Sequence, residues 1–203
     1  MTRETPTGQD LSAALEVSLA AIVNVQLDGT ITGWNHGAER LFGLQSADAL
    51  GSSIRRIIPH DRLGEEDWIH STIQRGQIVE PYQSVRLSHD NRSIHVLISA
   101  APVRNTDGEV IGITKCIQDI SPLIAREREA RRQIRLHAAL SKFNRAIAEG
   151  RPREALPQEA CRILVHDAGF ALAWIGKFDP ATRRILPLAS EGSPGDYVQG
   201  LQI

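Results

Sequence analysis

The chain has 203 residues and a formal net charge of −1. That length fits one or two domains, and so balanced a charge excludes a global pull toward nucleic acid or anionic lipid. No apolar run reaches the ~18 residues that a membrane-spanning helix needs. The start of the chain, with Arg3, Glu4, Pro6, Gly8 and Asp10, lacks the apolar core of a signal peptide. The expectation is therefore a cytoplasmic chain without membrane insertion. Cys116 and Cys161 have no C-x-x-C spacing, which fits reduced thiols and argues against a disulfide framework or a zinc site.

In chain order, Ala21 to Val25 and Ile31 to Trp34 are apolar stretches parted by Asp28-Gly29, the pattern of a tight β-hairpin. Asn35 is placed as an N-cap before Ala38, Leu41 and Phe42, which share one helical face. Residues 27 to 43, Leu-Asp-Gly-Thr-Ile-Thr-Gly-Trp-Asn-His-Gly-Ala-Glu-Arg-Leu-Phe-Gly, resemble the opening of a PAS sensory domain. The likeness continues in register. Ala47 to Gly51 resembles the short helix that follows, and Ile57-Ile58-Pro59-His60-Asp61-Arg62 the approach to the family's central F helix. Thr72 to Gly76 closes that helix with a glycine. Tyr82 to Leu87, Ser93 to Val103 and Gly108 to Ile117 read as three long strands, with Asp90-Asn91 and Asp107-Gly108 as turns. Asp119-Ile120-Ser121 resembles the D-I-T/S signature at which PAS domains hand over to a signalling helix.

Beyond Ser121 a helix pattern follows, with Arg126, Arg128, Arg131, Arg132 and Arg135 against Glu127 and Glu129. Leu123, Ala130, Ile134, Leu140, Phe143 and Ile147 keep an apolar stripe, for which a parallel coiled coil is the natural use. No groove-reading motif accompanies the arginines, so they read as a solvated face without nucleic-acid binding. Leu140 to Ile147 and Glu159 to Ile163 resemble the first helices of a GAF domain, Gly169 to Gly176 its first strand, and Ile185 to Ser190 a second strand after the turn Asp179 to Thr182. The fold class expected is α+β: a PAS fold with a central antiparallel sheet flanked by short helices, then a long linker helix and an incomplete GAF-like segment. The boundaries are a flexible N-terminus over 1–12, the PAS domain over 13–120, the linker over 121–135 and the partial GAF domain over 136–203.

No nucleophile elbow, P-loop or H-E-x-x-H is present, and no metal site is read. Glu154-Ala155-Leu156 spells the signature of cyclic-di-GMP phosphodiesterases, but those domains are longer than the remaining chain. His137 lacks the acidic neighbour usual after a kinase phosphoacceptor, since Ala138 and Ala139 follow. The expectation is a chain that is not itself an enzyme. Its resemblance implies a sensor whose ligand would sit between sheet and F helix, lined by Val23, Leu41, Ile54, Ile58, Trp68, Ile69, Ile73, Val96 and Ile98. The same residues describe a dry core, and no ligand is the default reading; haem or flavin are the alternatives. For haem, the family's proximal-histidine position falls near Glu65 or Glu66, leaving His70 as the candidate iron ligand. For a photoreactive flavin, the N-C-R-F-L-Q run is absent. Trp34 and Trp68 are expected to pack, and His36, His89 and His95 to face water. Asp119, with Ile120 and Ser121, is the expected relay, its carboxylate paired with a basic residue. Partners implied are a second copy, through the PAS domain and linker, and an effector domain, such as a diguanylate cyclase, phosphodiesterase or histidine kinase. The alternative to ligand sensing is a ligand-free dimerisation and relay domain.

Overall fold

The structure, a computed structural model, describes residue 16 and residues 18–192. The segment read as a flexible N-terminus, 1–12, lies outside the described residues, as does the end of the expected GAF segment. The chain divides into two compact units, Met1–Ile124 and Ala125–Ile203.

In the first unit, β1 (Ala21–Gln26) and β2 (Ile31–Trp34) form the expected hairpin. Its turn closes because Asp28 Oδ1 accepts the Thr30 N–H at 2.8 Å and Gly29 adopts φ 86°, a conformation that costs glycine little. The turn is in turn tied down by Ile54, whose N–H donates to Gly29 O at 3.0 Å. Helix α1 (His36–Phe42) begins at Asn35, whose Oδ1 accepts from Ala38 N at 2.9 Å. The same oxygen accepts from Ile22 N at 2.8 Å, while Nδ2 donates to Ala20 O at 3.1 Å. One amide therefore caps a helix and staples it to β1.

A short helix α2 (Ser46–Ala49) and two 3-10 turns, Ile54–Ile57 and His60–Arg62, lead to α3 (Leu63–Gln74). Gly76, at φ 75°, follows the helix as its sequence predicts. Then come β3 (Val79–Leu87), β4 (Ser93–Arg104) and β5 (Val110–Asp119). The sheet is antiparallel in the order β2-β1-β5-β4-β3. Strand β3 starts three residues before the predicted Tyr82. It tolerates Pro81 because it is an edge strand and its register shifts between Val79 and Tyr82, where the missing N–H is not needed.

Alternation sends Val23 and Val25 of β1, Val96 and Ile98 of β4, and Ile113 and Ile117 of β5 to one face, where Ile69 and Ile73 of α3 meet them. Trp34 packs as expected, 5.3 Å from the Phe42 ring, with its indole N–H donating to Leu44 O at 2.9 Å. Helix α4 (Ser121–Ala148) leaves directly from β5 and runs without a break past residue 135. In the second unit, α5 (Leu156–His166) packs its buried Cys161 against Ala173 and Ala189 of a two-stranded sheet. Those strands are β6 (Leu172–Asp179) and β7 (Arg184–Gly192). Ala139 and Ile163 join Leu136 and Phe143 in a separate small cluster.

Because Asn35 combines a helix cap with two bonds to the strand leading into the core, Asn35→Ala is expected to cost about 2 kcal/mol. Urea denaturation followed by circular dichroism measures this, and a loss under a few tenths would show that the staple is dispensable.

Candidate sensory site

Helix α3 turns Glu66, Ile69, Thr72 and Ile73 toward the sheet, a spacing that places all four on one face. Three are ordinary interior residues; Glu66 is a carboxylate with its side chain 3% exposed. Across from it, Lys115 takes the inward parity of β5 between Ile113 and Ile117 and is equally buried. Lys115 Nζ donates to Glu66 Oε1. His70, one turn along α3, brings Nε2 to 3.0 Å from the same oxygen. Glu66 Oε2 is buried without a hydrogen-bond partner among the described residues. Burial pushes the Lys115 ammonium down from its ordinary range, Glu66 pulls it back up, and nearby Arg86 adds to the depression.

A second charged group lies on the same helix. Arg86, buried on β3, donates to Glu65 Oε2 at 3.0 Å and to Ser84 Oγ at 2.7 Å. Ser84 Oγ also donates to Glu65 Oε2 at 2.6 Å, and Arg62 reaches Glu65 Oε1 at 2.8 Å. Burial raises the Glu65 carboxyl, but the bonds from Ser84, Arg62 and Arg86 outweigh it and leave it below its ordinary value. Tyr82, its hydroxyl 3.5 Å from Glu65, is pushed up to about 12, first by burial. Adjacent carboxylates of α3 thus hold two strands of one sheet, Glu65 through β3 and Glu66 through β5.

A cavity of about 280 Å³ opens beside Glu66, between α3, the β1–β2 turn and the first 3-10 turn. Of the residues read as pocket lining, Ile54 borders this cavity, and so does the candidate iron ligand His70. Val23, Ile58, Ile69, Ile73, Val96 and Ile98 pack into the continuous core, with Leu41 half-buried against it. Trp68 points outward, 47% exposed, and meets Tyr82 edge to face at 5.3 Å. These residues do not fit haem. The space beside His70 is below the ~300–1,000 Å³ of pockets that take drug-sized ligands, and haem is itself a large ligand. Nor do they fit a flavin bonded from the helix, since Cys116 lies on β5 and Cys161 on α5. Among the described residues no cluster of three or more His, Cys, Asp or Glu is placed to hold a metal ion.

At the exit, Ser121 Oγ accepts the His95 N–H at 3.1 Å, and Ile120 N donates to His95 O at 2.9 Å. Asp119 Oδ1 accepts the Ser121 N–H at 2.8 Å, so it serves the first turn of α4, where bare N–H groups need acceptors. The basic partner expected for Asp119 is not there: it makes no ion pair among the described residues, because its carboxylate is turned along the chain onto Ser121. Sequence reasoning missed Lys115, Arg86 and Ser84. The available signal was parity, since Lys115 alternates with Ile113 and Ile117 and must face inward with them.

A five-stranded antiparallel sheet with helices over one face and a long helix leaving the last of its strands in chain order defines a PAS-type sensory domain. The chain belongs to the PAS family, whose fold profile matches residues 9–120, more than half of it. It is 24% identical over 120 residues to phytochrome B-2 of Glycine max, an alignment covering 56% of this chain and 10% of that protein. The chain therefore spans about a tenth of the length of that relative. Among solved structures it is similar to the PAS domain of a protein from Colwellia psychrerythraea, at TM-score 0.53 and 21% identity, covering 56% of this chain and 97% of that one. An RNA-binding light-oxygen-voltage receptor gives TM-score 0.53 and 20% identity over 68% of this chain and 42% of that one. Both likenesses are of fold. No described helix is long and apolar enough to cross a membrane.

Lys115→Met leaves the buried Glu66 carboxylate with His70 in place of its buried ammonium partner and is expected to cost about 3 kcal/mol, whereas adding Glu66→Met returns stability to within about 1 kcal/mol of the starting protein or above it. Urea denaturation of the three proteins decides it; equal stability of the single variant would mean that no buried pair exists. A separate expectation concerns acid. The Glu65 carboxyl lies below its ordinary 4.5 when folded, so its contribution is complete above 4.5 and fades as pH falls through the depressed value. Glu65→Gln should flatten that acid limb, and an unchanged slope would remove Glu65 from the account.

Proposed function

We propose that the chain is a sensory and relay module, in which the state of the Glu66 site on α3 is passed along β5 to α4. The observation that carries this reading is the path Glu66 to Lys115 to Asp119: Lys115 and Asp119 are on the same strand, and the strand ends in the capped start of the helix. A signal acts on such a path only if it favours one arrangement of α3 and β5 over the other, since equal affinity shifts nothing. A buried ion pair suits that role because its loss is costly while its net stabilisation is small. Family resemblance supports an effector joined to this module, a diguanylate cyclase, phosphodiesterase or histidine kinase, with no enzymatic site in the chain itself. The helix-then-strand order of α5, β6 and β7 supports reading the second unit as part of a GAF domain.

A second reading, ligand-free dimerisation and relay, is favoured by the closed interior, where Val23, Ile69, Ile73 and Val96 are each 0% exposed. The exposed Leu123 and Ile134 of α4 offer a seam for a second copy. In both readings the helix start is the output.

The test is hydrogen exchange of the full chain. Glu66→Gln is expected to speed exchange of the amides at the start of α4 about tenfold, equivalent to a local loss near 1.4 kcal/mol. Asn105→Ala, which weakens the β4–β5 turn at the end of β5 away from α4, should leave those amides alone. If both variants behave alike there, or neither changes exchange, no relay runs along β5.

A further inference from the structure

The cavity beside Glu66 has a chemical character of its own. Its walls include three carboxylates, Asp28, Glu66 and Asp67, and two groups able to carry positive charge, Arg55 and His70. Arg55 is consumed locally, because its guanidinium donates to Asp67 Oδ1 at 2.7 Å. His70 is committed to Glu66. Asp28, at the rim, is held below the ordinary carboxyl range by its hydrogen bonds from Thr30. Glu66 already faces Lys115 and His70 through its Oε1, so the acceptors left to an occupant are Asp28 and the second oxygen of Glu66.

The second observation is independent of charge counting. Glu66 lines the cavity, its side chain is 3% exposed, and its Oε2 is buried with no hydrogen-bond partner among the described residues. Buried polar atoms are nearly always satisfied, and a buried carboxylate oxygen left bare costs more than a neutral acceptor. The terminal torsion of a glutamate is broad and roughly two-fold, so a modest turn of the carboxylate brings an oxygen to the cavity side. The walls are fixed: Ile54 N–H holds Gly29 O, and Asp28 braces the turn. Only the α3 side chains need adjust.

We propose that this cavity binds a small organic cation bearing N–H donors, a primary amine or amidine, which donates to Glu66 and Asp28 and competes with Lys115 for the Glu66 carboxylate. The proposal rests on the sensory reading above and names its ligand class. Size limits the occupant to something smaller than a drug-sized molecule, since about 280 Å³ falls just under that range. A bare metal ion is a poorer match, as no three-ligand cluster is present among the described residues. Binding would turn Glu66 toward the cavity and loosen its hold on Lys115, so the occupant acts on the strand that ends at α4.

The experiment titrates the full chain with putrescine by calorimetry and thermal melting, with the neutral 1,4-butanediol as control. Putrescine is expected to give a saturable heat and a rise in Tm, and the diol neither. Glu66→Gln should weaken putrescine binding about tenfold or more, as loss of a charge-assisted bond requires. Asp28→Asn, a turn-compatible change at an exposed site, should weaken it several-fold and keeps the test valid if the Glu66 variant folds poorly. Absence of saturable binding, or affinity unchanged in both variants, overturns the proposal. Native mass spectrometry of protein purified from cells separates the two readings. A neutral or anionic small molecule retained by a protein that ignores putrescine overturns the cation class and leaves the sensory reading standing. Loss of the α4 exchange response to Glu66→Gln overturns the sensory reading itself.

Discussion

The Glu66–Lys115 pair is the constraint around which the first unit is arranged. Taking two charges out of water is expensive, and attraction between them offsets that cost only when their geometry is fixed. Both side chains are 3% exposed, so α3 cannot slide or rotate on the sheet without separating the ions in a medium of low polarity. Apolar contact alone is less particular: Ile69 and Ile73 could pack nearly as well after a small shift, because dispersion is non-directional. The pair converts a greasy helix–sheet contact into one with a single register. The neighbouring Glu65 does the same toward β3 through Arg86 and Ser84, so consecutive residues of one helix pin two different strands.

What was legible in the sequence is what local chemistry specifies. The hairpin at Asp28-Gly29 follows from one aspartate and one glycine; the start of α1 follows from Asn35; the end of α3 from Gly76; and the turn at Asp90-Asn91 from residues that tolerate the left-handed region, where Asn91 has φ 59°. Strand positions followed from alternation to within a few residues, except where Pro81 hid the start of β3. The ion pair was not legible in the same way, since Glu66 and Lys115 lie 49 residues apart. A glutamate on a helix and a lysine on a strand are read by default as solvated, because charged residues are almost never fully buried unless paired. The pairing is a tertiary fact. Only the inward parity of Lys115 between two isoleucines carried a trace of it.

The site residues divide along the same line. The apolar positions expected to line a pocket are interior, but they are filled by one another, and the space that exists lies at the edge of that core, beside the charges. His70 illustrates why residue type alone misleads. Its imidazole is where a ligand for iron would be sought, yet its Nε2 meets the Glu66 carboxylate in a small space at the edge of the core, not a pocket of haem size. Trp68 was read among pocket residues because it sits on α3; helical spacing puts it two residues from Glu66 and therefore on another face, against Tyr82.

The junction of β5 and α4 depends on economy of backbone satisfaction. A helix that begins directly at the end of a strand has no loop in which to find acceptors for its first N–H groups. Asp119 supplies one for Ser121, and Ser121 in turn receives the His95 N–H from β4. The first turn of α4 is thereby made part of the sheet's own hydrogen-bonding, and a displacement of β5 relative to β4 cannot leave it untouched. Charge at Asp119 is secondary in this arrangement, for its role is that of an acceptor placed by the strand. A serine and an aspartate two residues apart tie the first turn of α4 to β4 and to the strand that carries Lys115.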